Sequence, residues 1–334
     1  MDAHEHVLLL ADIHANYLAL RAVIADAWAR YPPAHALKIW FLGDIFGRGP
    51  EPILAWDQLL AYAPEHYIAG NHDLGLIGKY TNIRTADIND GIFNADDWDV
   101  ILAHRKKIKD VLLLAESSEN GVLSGEIVET LQRWPLVASP RKGIYLVHGG
   151  LEHSLASEQA EAEEANRPFI QRLEHILVWD FVKKQNHAEW TIEAMRWLYE
   201  HPNERGALET RGAFDAPPEV VIVGHFHRRT LYCEGVYAEG TQDHQYDWLR
   251  PVRLDHSYML ESDPAHPILI SPGSVGFARE DHDRDASYAV LSFQDGRVAS
   301  VTFHAVSFDR AHVQEQMSAQ GYPQRIVKYL DLPS

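Results

Sequence analysis

The sequence predicts an α/β fold, and three features of the chain carry that prediction. Short, nearly all-apolar runs recur at strand length: Val7–Ala11, Leu37–Leu42, Ile144–Val147 and, after a leading glutamate, Glu219–Val223. Strands buried on both faces read this way, because neither face can be left polar. Helical stretches separate the first of these runs, as expected of βαβ units and a parallel sheet. The last third instead spaces short strands at hairpin intervals, near 230–233, 253–258, 267–271, 287–293 and 298–305.

Taken in order, Val7–Ala11 breaks off at Asp12-Ile13-His14, and Asn16 can start a helix through Leu18, Ala22 and Trp28 that Pro32-Pro33 ends. Leu37–Leu42 closes on Gly43-Asp44. A helix is expected over Glu51–Ala63, with Pro52 in the first turn, where a missing N–H leaves nothing unpaired. His66–Ala69 is a short third strand that closes on Gly70-Asn71-His72-Asp73. The stretch 74–135 reads as helical, most clearly over 96–115. Ile144–Val147 ends at His148-Gly149-Gly150, and Glu219–Val223 ends at Gly224-His225-Phe226-His227. Between them the composition shifts to Glu and Ala and reads as two or three amphipathic helices. Residues 1–150 and 216–334 are therefore assigned to one core, and 151–215 to a helical cap insertion. Within it, the Glu run at 158–164 reads as a solvated helix face, and Trp179, Trp190 and Trp197 as packing between helices.

The bulk composition excludes several classes. A net charge of −18 argues against a nucleic-acid backbone as the main partner, since phosphate chains are gripped by clustered Lys and Arg. A small phosphorylated partner is compatible with that charge where bound cations supply the positive potential. The single cysteine, Cys233, excludes a disulfide framework within the chain and any Cys-rich zinc module, and suits a reducing compartment. No run approaches the roughly 20 apolar residues of a membrane span. Met1–His6 lacks the basic flank and apolar run of a secretory signal. A cytoplasmic protein is the expectation, and nothing in the sequence sets its oligomeric state.

The chemistry gathers where strands end. Five predicted strands terminate in residues able to bind metal: Asp12/His14, Asp44, Asn71/His72, His148 and His225/His227. Ligands of open α/β sheets collect at the carboxyl ends of strands, where short loops converge from distant parts of the chain. Each pair alone is unremarkable, but their common position in five strands is not. Together these motifs resemble the calcineurin-like metallophosphoesterase superfamily, over residues 7 to about 305 with 151–215 outside the match. The resemblance implies a four-layer α/β/β/α sandwich with two mixed β-sheets, here carrying a helical insertion.

It also implies a site. Asp12, His14 and His227 would hold one metal ion, Asn71, His148 and His225 a second, and Asp44 would bridge them. Carboxylate and amide oxygens mixed with imidazoles suit Mn, Fe, Zn, Ni or Co. A shared carboxylate lets two cations approach to about 3.5–4 Å, where a hydroxide becomes nucleophilic at neutral pH. By the same resemblance His72 is not a ligand but protonates the leaving oxygen, with Asp73 orienting it. Arg48 resembles the phosphate-gripping arginine of serine/threonine phosphoprotein phosphatases and symmetrical dinucleoside tetraphosphatases. The match is partial: Gly47 stands where those phosphatases carry aspartate, and Ala69 where they carry arginine. Ile270–Gly276, followed by Arg279 and Asp281, instead resembles the bacterial phosphodiesterase-like branch, with Ser271 in place of an asparagine. Its glycines suit a turn that supports the site from below.

The sequence therefore points to a metal-dependent hydrolase of a small phosphodiester or phosphomonoester, of the phosphodiesterase-like branch. A dinucleoside tetraphosphatase or phosphoprotein phosphatase is the alternative. A non-catalytic scaffold on the same fold would have lost ligands, whereas all of these are present. Of the remaining histidines, His153 alone lies close enough to His148 to reach the cleft; the others match no ligand spacing. The 151–215 insertion, following one ligand and preceding another, is expected to overhang the site.

Overall fold

The first strand shows how the layers arise. In β1 (Glu5–Leu10), Val7, Leu8, Leu9 and Leu10 are all fully buried, but alternate residues belong to different clusters. Val7 and Leu9 pack with Ile144, Leu146, Val220, Ile222, Ile268 and Ile270. Leu8 and Leu10 pack with Leu20, Val23, Ile24 and Ala27 of the next helix. A strand that must be apolar on both faces is thereby sandwiched between a second sheet and a helical layer.

A computed structural model describes residues 5–32, 37–77, 99–100, 103, 123–180, 182, 185–208, 210–233, 252–279 and 284–331. After β1 come α1 (Tyr17–Arg30), β2 (Lys38–Phe41), α2 (Pro52–Ala61), β3 (His66–Tyr67), α3 (Asn71–Ile77), α4 (Leu123–Gln132), β4 (Val137–Arg141) and β5 (Ile144–Val147). There follow α5 (Leu155–Glu164), α6 (Phe169–Trp179), α7 (Gln185–Glu200), α8 (Pro202–Arg205), β6 (Thr210–Gly212), β7 (Val220–Val223) and β8 (Arg229–Cys233). The last are β9 (Ser257–Met259), β10 (Ile268–Pro272), β11 (Ala286–Gln294), β12 (Arg297–Val306), α9 (Arg310–Ala319), α10 (Gln324–Val327) and a 3-10 turn at Lys328–Leu330. The helical reading of 96–115 and the position of Asp281 lie outside the described residues, apart from residues 99, 100 and 103.

Two mixed six-stranded sheets result, ordered β3-β2-β1-β11-β12-β9 and β6-β4-β5-β7-β10-β8. Parallel pairing of β1 with β2, and of β5 with β7, brings their carboxyl ends level: Leu10 faces Phe41, and Val147 faces Val223. The loops after these strands are then stitched together. Asp12 N–H donates to Gly43 O at 3.0 Å, His14 N–H to Asp44 O at 2.9 Å, and Gly224 N–H to His148 O at 2.9 Å. Among the described residues no helix is long and apolar enough to cross a membrane.

The helices of the 151–215 segment lie against the second sheet, and the end of the segment adds β6 to that sheet's edge, so it is not helical throughout. Leu151 N–H donates to Thr191 Oγ1 of α7 at 2.9 Å, and Tyr232 Oη of β8 donates to Glu189 Oε1 of α7 at 3.1 Å. Leu177, Ala188, Ile192 and Met195 are buried in one cluster with Tyr145, Val147, Val221, Val223 and Leu269 of that sheet. Two strands escape the sequence reading. β4 contains Pro140, which breaks a strand pattern, and β6 is three residues long at a sheet edge, where short strands are the norm. Glu158 departs from its expected solvated face: it is fully buried and accepts from Arg172 Nε at 2.6 Å.

Candidate metal centre

The loops that follow β1, β2 and β7 are strained. Asp12, His14, Asp44, Arg48, His225 and His227 all have positive φ, at 54°, 50°, 61°, 58°, 62° and 63°. Non-glycine residues adopt that region rarely, at about 1–3 kcal/mol each, and only where the surroundings enforce it. Here the enforcing bonds are visible. The Asp73 carboxylate accepts four backbone N–H groups, from Asp44 at 2.8 Å, Ile45 and Gly70 at 3.0 Å, and Phe46 at 3.2 Å. Ser274 Oγ donates to Asp12 O at 2.8 Å, and Gly276 N–H donates to the same oxygen at 3.0 Å. The Ile270–Gly276 segment thus supports Asp12 from below. The Asp12 carboxylate in turn accepts His225 N–H at 3.0 Å.

Backbone carbonyls aim the histidines. His14 Nδ1 meets Phe46 O at 2.9 Å, His148 Nδ1 meets Leu42 O at 2.7 Å, and His227 Nδ1 meets Phe277 O at 2.7 Å. His225 uses its other nitrogen, Nε2, on Trp179 O at 2.9 Å. A carbonyl only accepts, so each of these nitrogens carries a proton; in His14, His225 and His227 the opposite one presents a lone pair, whereas His148 must first shed a second proton. The opposite nitrogens converge. His14 Nε2 and His227 Nε2 stand 3.0 Å apart, and His227 Nε2 is 3.3 Å from Asp12 Oδ1. His148 Nε2 is 3.1 Å from Asn71 Oδ1 and 3.4 Å from Asp44 Oδ2, while His14 Nε2 lies 3.7 Å from that same oxygen. Asp44 Oδ2 therefore sits between the two groups, Asp12/His14/His227 and Asp44/His148/His225, each drawn to within 4.8 Å.

Two observations test whether metal ions fit. Asp44 Oδ2 is buried and no hydrogen bond satisfies it, a placement that is costly for an anionic oxygen. Imidazole lone pairs facing one another across 3.0 Å have no proton to share, and a cation between them removes the conflict. Both point to metal cations held by the protein's mixed N and O donors.

The electrostatics agree. Burial, with help from the Arg48 cation, holds His14 well below the usual histidine range. Burial does the same to His225, and to His227 with Arg279 and Arg48. All three are neutral at neutral pH. Burial pushes Asp12 up to about 7, and likewise Asp73, where the Asp44 charge adds to it. Burial opposes ionisation of Asp44 too, but the His148 and His72 charges outweigh it and hold the carboxyl well below its usual range. His148 is the counterpart: burial would lower it, yet Asp44 and Asp12 raise it to about 9.

The residues expected to act beside the metals are placed differently. His72 packs edge-on against His14, ring centroids 4.7 Å apart, and its backbone N–H donates to Asp44 Oδ1 at 2.9 Å. Asp73 does not take the place beside the His72 ring that the resemblance implied. Its hydrogen bonds go to backbone amides, because the positive-φ loop after β2 exposes a row of N–H groups toward it. These bonds tie it to the Asp44 loop. Arg48 is buried, with Nη1 3.5 Å from His227 Nδ1 and its guanidinium 5.4 Å from the Tyr329 ring. His153 is largely exposed and bonds Glu158 Oε1 at 3.2 Å. Sequence reasoning missed the carbonyls of Leu42, Phe46, Trp179 and Phe277, since any residue can offer one. It also missed Tyr329, an isolated aromatic residue far from every motif.

A sequence model of calcineurin-like phosphoesterases matches residues 5–229. No curated protein matches the chain. Among solved structures the chain is similar to a metallophosphoesterase from Sphaerobacter thermophilus, at 23% identity and a TM-score of 0.61 over 99% of this chain and 100% of that one. It is also similar to a hypothetical protein from Pyrococcus horikoshii OT3, at 16% identity and a TM-score of 0.56 over 98% of each chain. At these identities the likeness is one of fold.

Proposed function

The chain belongs to the calcineurin-like phosphoesterase family, and from that premise we propose that it hydrolyses a small-molecule phosphoester with two metal ions. Asp12, His14 and His227 would hold one ion, Asn71, His148 and His225 the other, and Asp44 would serve both. The observation that carries this reading is Asp44 Oδ2, buried without a hydrogen bond between His14 Nε2 and His148 Nε2. Bound ions supply Lewis acidity toward phosphoryl oxygens and make water acidic enough to attack at neutral pH.

The chain's own groups do the rest. The four carbonyls fix the tautomer of each histidine, so that ligand nitrogens need no reorganisation. Asp73 holds the Asp44 loop in its strained form. His72, pressed against His14 and backed by Gly47, holds the proton destined for the leaving oxygen. Arg48 contributes a permanent positive charge beside His227. The Ile270–Gly276 segment, on which the phosphodiesterase-like branch rests, bonds Asp12 and so supports the metal site. The acidic net charge favours a small substrate over a nucleic acid, and the 151–215 helices border the site through Trp179.

The test is a hydrolysis screen with Mn, Fe, Zn, Ni and Co supplied separately, on p-nitrophenyl phosphate, bis-p-nitrophenyl phosphate and diadenosine tetraphosphate. Metal-dependent release from either nitrophenyl ester, lost in Asp44→Asn, is expected. Strong preference for diadenosine tetraphosphate would transfer the reading to the dinucleoside tetraphosphatases. No hydrolysis with any metal would remove it.

A further inference from the structure

The two groups of candidate ligands are braced from different parts of the chain. Around Asp12, His14 and His227 the supports come from the loops after β2 and β10. Phe46 O takes His14 Nδ1, Phe277 O takes His227 Nδ1, and Ser274 Oγ donates to Asp12 O. Around His148 and His225 they come largely from α6 and α7. Leu42 O fixes the His148 ring, but the loop that leaves His148 gives four consecutive backbone N–H groups to the helices. Gly149 donates to Leu177 O at 2.7 Å and Gly150 to Asp180 O at 2.9 Å. Leu151 donates to Thr191 Oγ1 at 2.9 Å, and Glu152 to Asp180 Oδ2 at 3.3 Å. The His225 ring adds a fifth donor, Nε2 to Trp179 O at 2.9 Å.

Helix and loop each answer a need of the other. The last carbonyls of a helix have no partner within it, and Leu177 and Trp179 are buried, so donors must come from elsewhere. The loop supplies them by lying closer to α6 than a side chain permits: a Cβ on Gly149 would stand 2.9 Å from both Leu177 O and Asp180 O. Leu151 and Thr191 are fully buried, and the Thr191 hydroxyl passes its own proton to His187 O at 2.7 Å. The His225 backbone is held separately, its N–H donating to the Asp12 carboxylate at 3.0 Å, so α6 acts on the ring. We propose that the end of α6, with Thr191 of α7, is a positioning element for one ion of the pair, and that Leu177 and Thr191 are its positioning residues. The proposal rests on the two-metal reading and adds regulation to it. Displacing the helices frees the His225 ring and slackens the loop after His148, whereas Asp12, His14 and His227 keep their supports. The ion at His148 and His225 is then the exchangeable one, and whatever moves α6 sets its occupancy.

The experiment follows zinc uptake by calorimetry and by ring-nitrogen NMR spectra of the histidines, in the full chain and in Thr191→Val, Thr191→Ser and Leu177→Ala. Valine leaves Leu151 N–H without its hydroxyl partner, serine restores that partner, and Leu177→Ala loosens α6 where it packs on the second sheet. Substitutions behind a ligand histidine lower metal affinity by about ten- to a hundredfold. In Thr191→Val and Leu177→Ala the His148 and His225 rings should therefore need about tenfold more zinc to respond. His14 and His227 should respond as in the parent, and Thr191→Ser should behave as the parent does. In the metal-free parent the His225 proton should sit on Nε2, and in Leu177→Ala it should divide between the two nitrogens. Equal weakening at both groups, parent-like affinity at His148 and His225 in either variant, or Thr191→Ser as weak as Thr191→Val would overturn the proposal. Should the parent take up no zinc, the two-metal reading fails. The metal-free spectra then still decide whether α6 aims His225, and an unchanged tautomer in Leu177→Ala would show that it does not.

Discussion

Gly47 gives a way to move His72 without touching a metal ligand. Its φ is +91°, and a Cβ built on it would stand 2.3 Å from His72 Nδ1 and 2.9 Å from Cγ. Ordinary contact begins near 3.4 Å, so Gly47→Ala forces the ring away by about 1 Å. Displacements of that size cost about a hundredfold where a catalytic group must meet a reacting atom. The methyl group at positive φ also strains the backbone by about 1 kcal/mol, too little to unfold a domain of this size. The assay measures kcat on an alkyl phosphate, whose leaving oxygen needs a proton, and on p-nitrophenyl phosphate, whose phenolate does not, alongside metal content per chain. Metal content should match the parent. The alkyl ester should slow about a hundredfold and the nitrophenyl ester far less, with His72→Ala showing the same split. Equal slowing of both esters would refute the proton-donor role. Loss of metal would show that His72 belongs to the ligand set, as its place in a cluster with His14 and Asp44 allows.

Gly70→Ala makes the opposite cut. Its Cβ would stand 2.0 Å from Asp44 Oδ1 and 2.5 Å from Asp44 N, so that carboxylate must move, and elemental analysis should find most of the metal gone; full occupancy would contradict the proposed bridge. Metal affinity should rise with pH between about 6 and 8, because burial pushes Asp12 up to about 7 and a carboxyl must lose its proton to bind. His148, at about 9, adds a second proton to expel. Calorimetry in buffers of different ionisation enthalpy should register one to two protons released, and a pH-independent affinity with no release would count against the site. Burial raises Asp180 to about 6 in the folded chain. A folded pKa above the unfolded one means that stability is fully present below about 4 and is lost as pH rises through about 6. Asp180→Asn should therefore stabilise the chain at pH 7 by about 1–2 kcal/mol, after allowance for partial exposure, but not at pH 4. Chemical denaturation at the two pH values checks this, and equal effects at both would refute it.

The layered fold was legible because its cause is local. A strand such as Val7–Leu10 has to be apolar at each position when one face meets a sheet and the other a helix, and sequence displays that requirement directly. β4 and β6 were not legible, because their pairing comes from neighbours. Ser139-Pro140 and Thr210-Arg211-Gly212 have no strand pattern of their own, and β6 exists because Val137–Ser139 offers it a partner. Glu158 failed for the same reason. Its run of acidic neighbours looks solvated, and its burial is made tolerable by Arg172, fourteen residues away, together with His153.

The site divides along the same line. Side chains at strand ends announce themselves by type and spacing, so Asp12, His14, Asp44, Asn71, His148, His225 and His227 could be named from sequence and are brought together by the fold. What aims them is backbone. The carbonyls of Leu42, Phe46, Trp179 and Phe277 leave no mark in sequence, nor do the left-handed conformations of six non-glycine residues. Asp73 shows the consequence. Its position next to His72 suggested a side-chain partner, but in a loop whose amides have been turned outward the nearest unmet donors were N–H groups. One aspartate then satisfies four of them. A motif therefore names which side chains gather at the strand ends, whereas the atoms that aim them come from segments that share no motif at all.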